Sequence, residues 1–123
     1  MANDLNLINK ILRDYSDEVQ EGITRVAKEV ADEGVAKLQA ETSTYKIRTG
    51  KYNRGWRKKT EEGARYVHAT ISNKEYQLTH LLEYGHATRN GGRTRAFPHI
   101  APVEAYCNKE FEKRVEQVIK EGR

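Results

Sequence analysis

Apolar side chains recur every three or four positions through the first forty residues. Such spacing places them on one face of a helix, and no proline interrupts the segment. We therefore predict a helical region over residues 5–40. Ser16, followed by Asp17 and Glu18, is typical of an N-cap with acids in the first turn, so we expect a break near Ser16. The apolar positions are Ile8, Leu12, Tyr15, Val19, Ile23, Val26, Val30 and Leu38.

The length of this predicted helix is a problem for a small domain. A continuous helix over residues 5–40 would extend about 54 Å at 1.5 Å per residue. A chain of this size has a radius of gyration of about 14 Å. We therefore expect either a bend near Ser16 or packing of the exposed part against a neighbouring subunit.

The middle of the chain changes its pattern twice. Residues 42–55 are polar and basic without apolar periodicity, which predicts a long mobile loop. Residues 56–72 then favour strand: Val67, Ala69 and Ile71 alternate with polar or aromatic neighbours, as in a strand with one buried face. A glycine-containing turn within this segment makes it a β-hairpin.

Two more helices follow the hairpin. Leucines at helical spacing predict a short helix over residues 76–84, which ends at a glycine. The glycine- and arginine-rich residues 86–100 predict a basic loop, and the Asn-Gly-Gly within it is typical of a hairpin tip or of the tip of a flexible loop. A proline in the first turn opens a C-terminal helix over residues 102–121.

These elements predict one α+β domain over residues 1–123. We expect the long N-terminal helix and the C-terminal helix to pack on a small antiparallel sheet. The apolar face of each element predicts a shared core, formed by Val19, Ile23, Val26, Val30, Trp56, Val67, Ile71, Leu81, Leu82, Phe111 and Val115.

Composition narrows the class of protein. The chain has 123 residues, of which 37% are hydrophobic and 33% charged. No apolar run approaches the roughly 18 residues that a transmembrane helix needs, and we see no secretory signal at the N-terminus. The one cysteine, Cys107, excludes an intramolecular disulfide and lies on an apolar stripe with Phe111, so we expect a core thiol in a protein folded in a reducing cytoplasm.

Charge is distributed unevenly along the chain. Residues 1–41 carry nine acids and five bases (−4), residues 42–103 carry twelve bases and four acids (+8), and the remainder carries five of each. Two basic stretches, between Glu41 and Glu61 and between Glu83 and Glu104, contain no acid. This distribution favours an acidic partner, either nucleic acid or an acidic protein surface; a solvated surface that maintains solubility is the alternative.

Candidate chemistry is sparse. No nucleophile elbow, metalloprotease motif or phosphate-binding glycine loop is present, and the four histidines have poor spacing for a zinc site. We therefore expect no enzyme, no cofactor and no metal. Tyr45, Tyr52 and Trp56 lie among seven bases, a mixture that suits nucleic acid, although no known nucleic-acid-binding motif accompanies them. Trp56 also suits an anchor between the sheet and the long helix.

Three short stretches carry a family resemblance. They are T-G-K-Y-N-R-G-W (Thr49 to Trp56), L-L-E-Y-G (Leu81 to Gly85) and R-A-F-P-H-I-A-P-V-E (Arg95 to Glu104). Together with the long N-terminal amphipathic segment, the chain resembles the small neck or tail-completion proteins, also called head–tail connector or joining proteins, of long-tailed double-stranded-DNA bacteriophages and prophages. This resemblance implies a non-enzymatic subunit that forms or completes a ring where head and tail join.

The resemblance also implies partners and a location. The partners would be further copies in a hexameric or dodecameric ring, the adaptor or stopper proteins, and the tail-tube or tail-terminator proteins, with no membrane involved. The protein would be found in the neck or tail of the virion, after assembly in the host cytoplasm. The residues that we predict to bind partners are Arg48, Lys51, Arg54, Tyr84, His86, Arg89, Arg93, Arg95 and Phe97.

Two alternatives to this interpretation stay open. The rival class is a small basic nucleic-acid-binding module. Within the tail interpretation, residues 86–97 are expected to form a projecting arm that docks on an acidic face of an adjacent subunit or ring, and DNA in the channel is the rival target of that arm.

Overall fold

The computed structural model describes residues 5–45 and 50–122. It confirms an α+β fold: two long helices cover one face of a small antiparallel sheet, and two short helices complete the architecture. Within the described residues, none of the helices combines the length and apolar character that crossing a bilayer requires. In chain order the elements are β1 (Leu5–Ile11), α1 (Asp17–Thr42), α2 (Lys51–Arg54), β2 (Trp56–Gly63), β3 (Tyr66–Asn73), α3 (Tyr76–Tyr84) and α4 (Ile100–Glu121).

The prediction of helix from residue 5 is wrong, because the first element is a strand. β1 pairs antiparallel with β3, and an irregularity between Asn6 and Ile8 places Leu5 opposite Ile71 and Ile8 opposite Ala69. Such a bulge adds one residue to one strand. It therefore breaks the regular alternation by which a strand is recognised in a sequence.

The long helix begins where the capping residues predict. Ser16 is the N-cap of α1, and its side-chain oxygen accepts a hydrogen bond from the Val19 backbone N–H at 3.3 Å. Because α1 begins only at Asp17, the expected mismatch between helix length and domain size largely disappears. Trp56, at the start of β2, donates from its indole N–H to the Thr42 hydroxyl at 3.1 Å, which confirms that it anchors the sheet to the long helix.

The sheet has the strand order β1-β3-β2. Val67, Ala69 and Ile71 of β3 are buried beneath the helices. Two exposed ion pairs link β2 to α1 on this side of the sheet: Lys58 to Asp32 and Lys28 to Glu62. Strand alternation therefore provides the buried face that the sequence predicts.

The two long helices are joined by a polar network beside the core. Glu33 on α1 accepts two hydrogen bonds from the Arg114 guanidinium, at 2.6 and 2.9 Å, and one from the Tyr106 hydroxyl at 2.6 Å. These hydrogen bonds lower the pKa of the Glu33 carboxyl. Nearby, the Cys107 thiol is buried, and burial raises its pKa to about 11, so it behaves as the predicted core thiol rather than a nucleophile.

The predicted loop over residues 42–55 needs correction at both ends. α1 continues to Thr42, and Lys51–Arg54 form a helical turn whose Tyr52 is among the most deeply buried side chains. Residues 46–49 lie outside the described residues. The sequence pattern misses this turn because Tyr52 is held by distant residues rather than by neighbours in the chain.

Most predicted core residues are buried as expected, but Leu81 is not. Val19, Ile23, Val26, Val30, Trp56, Val67, Ile71 and Val115 belong to the core cluster, and Leu82 and Phe111 pack against it while partly exposed. Leu81 is 36% exposed, because α3 turns a different face inward.

Candidate interaction surface

The short helix α3 turns a mixed face inward, on which Leu78 and Leu82 pack against the core while partly exposed. Its two buried side chains are Thr79 and Glu83, one turn apart. Its outward face carries Tyr76, which is 54% exposed, and Tyr84, which is 53% exposed, together with His80 and Leu81. Large aromatic side chains on a solvent-facing helix are typical of an interaction site, where Tyr is enriched.

Glu83 is buried because it caps the start of α4. Its Oε1 accepts hydrogen bonds from the backbone N–H groups of His99 at 2.7 Å and Ile100 at 2.9 Å, and its Oε2 accepts one from Ala101 at 3.2 Å. The first N–H groups of a helix lack partners within the helix, and the helix dipole favours an anion there. One carboxylate therefore fixes α3 against the first turn of α4.

A buried network around His99 holds the same junction. The Tyr52 hydroxyl lies 2.5 Å from His99 Nε2 and 3.1 Å from the Thr79 hydroxyl. His99 Nδ1 lies 2.8 Å from the Phe97 carbonyl oxygen, which can only accept a hydrogen bond, so Nδ1 carries a proton. Burial raises the pKa of Tyr52, so its hydroxyl stays neutral.

Aromatic rings complete the packing around this network. The rings of Tyr45, Tyr52 and Trp56 all lie within 5.8 Å of the His99 ring, in edge-to-face geometry. Such edge-on contacts are the favoured arrangement for aromatic rings. Because Tyr52 and Trp56 are buried here, they cannot stack on nucleic-acid bases, and the nucleic-acid interpretation loses two of its three aromatic residues.

The basic loop after α3 has a defined structure where it leaves the helix. Gly85 has a positive φ of 71°, and a Cβ added there would lie 2.7 Å from the Thr94 carbonyl oxygen. The His86 N–H donates to the Thr94 hydroxyl at 2.9 Å, and Ala87 pairs with Arg93 in an antiparallel bridge. Of the two expectations for the Asn-Gly-Gly turn, the structure shows the hairpin tip. We call residues 86–97 the arm.

Most of the predicted partner-binding residues come together beside α3. Tyr84, His86, Arg89, Arg93, Arg95 and Phe97 are all exposed. The Tyr84 backbone oxygen accepts from the Arg93 guanidinium at 3.4 Å, and the Phe97 N–H donates to the Leu82 carbonyl at 2.7 Å. Arm and helix therefore form one continuous surface, the α3–arm surface, which consists of Tyr76, His80, Leu81, Tyr84, His86, Arg89, Arg93, Arg95 and Phe97.

The other predicted site residues have different positions. Lys51 and Arg54 are exposed on α2, which Tyr52 fixes next to His99 at the same end of the molecule. Arg48 lies outside the described residues.

Sequence reasoning did not assign Tyr76, Leu81 or Glu83 to the site. The signal was present in part, because Tyr76, His80 and Tyr84 are spaced four apart and must share one helix face. The prediction that Leu81 belongs to the core concealed this face. Among the described residues, no group of three or more His, Cys, Asp or Glu side chains could hold a metal ion.

An exposed aromatic helix therefore lies beside a cationic hairpin, and hydrogen bonds join the two. The chain matches, over residues 7–85, the model of a family described as "Bacteriophage HK97-gp10, putative tail-component". The match covers more than half of the chain, and the protein belongs to this family of phage tail components. No curated protein and no solved structure matches it. The matched region ends at Gly85, so α3 lies inside it and the arm and α4 lie beyond it.

Proposed function

We propose that this phage tail component is a non-enzymatic structural subunit at the junction of head and tail. It forms or completes a ring there, and the α3–arm surface is its docking face. The exposed face of α3 carries this proposal: the helix presents Tyr76, Leu81 and Tyr84 to solvent.

The exposed aromatic face of α3 offers apolar area to a partner. Burial of apolar area contributes about 25 cal/mol per Å², and Tyr76 and Tyr84 are each more than half exposed. Covering these two side chains in a contact would therefore stabilise the complex. Glu83 and Tyr52 hold the helix in this orientation before binding, so little ordering cost remains to be met on contact.

The arm supplies the charge that fits an acidic partner. Arg89, Arg93 and Arg95 follow one another within seven residues, and the arm itself contains no acid. Each guanidinium can bind a carboxylate through two parallel hydrogen bonds. Tyr and Arg are, with Trp, enriched among the residues that dominate binding energy in protein interfaces.

Removal of the arm's charge tests this function. We expect the variant Arg89→Ala/Arg93→Ala/Arg95→Ala to melt at the wild-type temperature, because all three side chains are exposed. In the phage that encodes the chain, we expect this variant to leave filled heads and tails unjoined. Electron microscopy of lysates and the titre of infectious particles measure the effect.

A matched control removes the same charge elsewhere. Lys74, Lys109 and Lys113 are also exposed, and we expect their triple alanine variant to support normal titres. Wild-type titres and joined particles from the arginine variant would refute the docking role of the arm.

A further inference from the structure

The molecule has two ends of opposite charge. At one end, the start of α1 and the end of α4 enclose a shallow depression of about 490 Å³, lined by Glu18, Glu21, Gly22, Arg25 and Glu121. We call the carboxylates of Asp17, Glu18, Glu21 and Glu121 the acidic end. Arg25 is the one base in the depression, and its guanidinium lies 3.7 Å from Glu29. Among the described residues, the four carboxylates of the acidic end have no ion-pair partner.

The α3–arm surface lies at the opposite end of the same helices. Tyr45, just beyond the end of α1, has its ring 5.3 Å from that of Phe97, and Glu83 caps the first turn of α4. α1 has 26 residues, which corresponds to about 39 Å at 1.5 Å per residue. The acidic and basic surfaces are therefore separated by the full length of the helix pair.

We propose that the α3–arm surface of one copy docks on the acidic end of the next copy, head to tail. This rests on the proposed function and names the partner of that surface as a second copy of this chain. The two surfaces are complementary in charge, and their position at opposite ends lets every copy use both at once. A contact between different surfaces closes into a ring when successive rotations close, whereas a twofold contact would place like charges opposite each other.

Two charge-reversal variants test this arrangement. One, Arg89→Glu/Arg93→Glu/Arg95→Glu, reverses the arm. The other, Glu18→Lys/Glu21→Lys/Glu121→Lys, changes the summed charge of the acidic end from −4 to +2 and spares Asp17, which stabilises the first turn of α1. Glu104→Lys/Glu112→Lys/Glu116→Lys is the matched control, since all three residues are exposed on α4 and the change in charge equals that of the second variant. Trp56 fluorescence during thermal melting shows whether each variant is folded.

Light scattering during size-exclusion chromatography, at protein concentrations from micromolar to millimolar, gives the result. We expect the wild type and the control to assemble as concentration rises. Each reversed variant alone should self-associate at least about tenfold more weakly, because like charges then meet across the contact. An equimolar mixture of the two reversed variants should assemble again with one-to-one composition, because both of its contacts join opposite charges.

Three outcomes would overturn the inference: a mixture that stays monomeric, a reversed variant that assembles as the wild type does, or a wild type that stays monomeric throughout.

A gel shift with a random DNA duplex tests the rival target of the arm. DNA binding lost only in the arm variant, without self-association of the wild type, would assign the arm to nucleic acid instead. If Glu18→Lys/Glu21→Lys/Glu121→Lys supports normal head–tail joining while Arg89→Ala/Arg93→Ala/Arg95→Ala does not, the head-to-tail contact is wrong and the proposed function stands.

Discussion

Glu83 is the residue whose removal should most disturb the α3–arm surface from within. Its side chain is 8% exposed, and its two oxygens accept three backbone hydrogen bonds from the start of α4. In the variant Glu83→Ala these N–H groups lose their acceptor, and the contact that fixes α3 to α4 is gone. We therefore expect both lower stability and a loosened α3.

The magnitude follows from the geometry of the three hydrogen bonds. A hydrogen bond to a charged group contributes about 1.5–3 kcal/mol net. The bonds from His99 and Ile100, at 2.7 and 2.9 Å, are short and count fully, whereas that from Ala101, at 3.2 Å, is weaker. Because water can enter the space left by the side chain and satisfy part of the loss, we expect a decrease of about 3–4 kcal/mol in the free energy of unfolding.

Such a decrease is large for a chain of this size. Stabilities of roughly 0.05–0.15 kcal/mol per residue correspond to about 6–18 kcal/mol here. A loss of 3 kcal/mol would lower the melting temperature by about 10 °C. The variant Glu83→Gln retains one oxygen acceptor without the charge, so we expect about half the effect.

Urea unfolding followed by tryptophan fluorescence measures this directly. Trp56 is the only tryptophan, and its ring lies 5.8 Å from that of His99, so it reports on the affected region. Glu112→Ala is the control, because Glu112 is exposed on α4 and should change stability by less than about 0.5 kcal/mol. If Glu83→Ala unfolds within 0.5 kcal/mol of the wild type, Glu83 does not hold the junction as described.

Two further predictions concern the packing of α4. Phe111→Ala should lower the free energy of unfolding, measured in urea, by about 2 kcal/mol. This is less than the 3–5 kcal/mol of a fully buried phenylalanine, because Phe111 is partly exposed at the edge of the core. A decrease below about 0.5 kcal/mol would show that Phe111 does not pack against the core. The lowered pKa of Glu33 determines how its pair with Arg114 affects stability at different pH values. The pair stabilises the fold fully above the ordinary pKa of 4.5. This stabilisation is lost as the pH falls through the lower pKa of the folded protein. Glu33→Gln should therefore destabilise the protein at pH 7 and lose less stability than the wild type on acidification to pH 3, and parallel stability curves for the two proteins would contradict this.

Regular, local patterns predicted much of the fold. The Ser16 cap, the alternation through β3 and the leucine spacing of α3 depend on residues close in sequence, and each element forms where its pattern indicates. Two of the errors, the strand β1 and the turn α2, have non-local causes. The irregularity in β1 breaks the regular alternation of a strand, and only pairing with β3, about sixty residues away, reveals it. The turn of α2 depends on Tyr52, which His99 and Thr79 hold from distant parts of the chain.

The candidate site was predictable in charge but not in shape. The acid-free run of arginines marks the arm, since charge can be counted directly from the sequence. The burial of Glu83 and the exposure of Leu81 could not be predicted, because a helix is expected to bury its leucines and expose its charged residues. Leu82 does pack against the core, but Leu81 does not, because the buried face also contains the carboxylate that the start of α4 requires.

Assembly should cover the α3–arm surface, and hydroxyl-radical footprinting tests this most directly. Oxidation rates of Tyr76, Tyr84 and Phe97, all exposed in the isolated chain, are compared by mass spectrometry between the free protein and purified phage particles. Tyr52, which is buried, should stay unreactive in both and shows that the fold is intact. We predict strong protection of the three exposed rings in the particle, and equal oxidation in both states would contradict the proposed docking role of this surface.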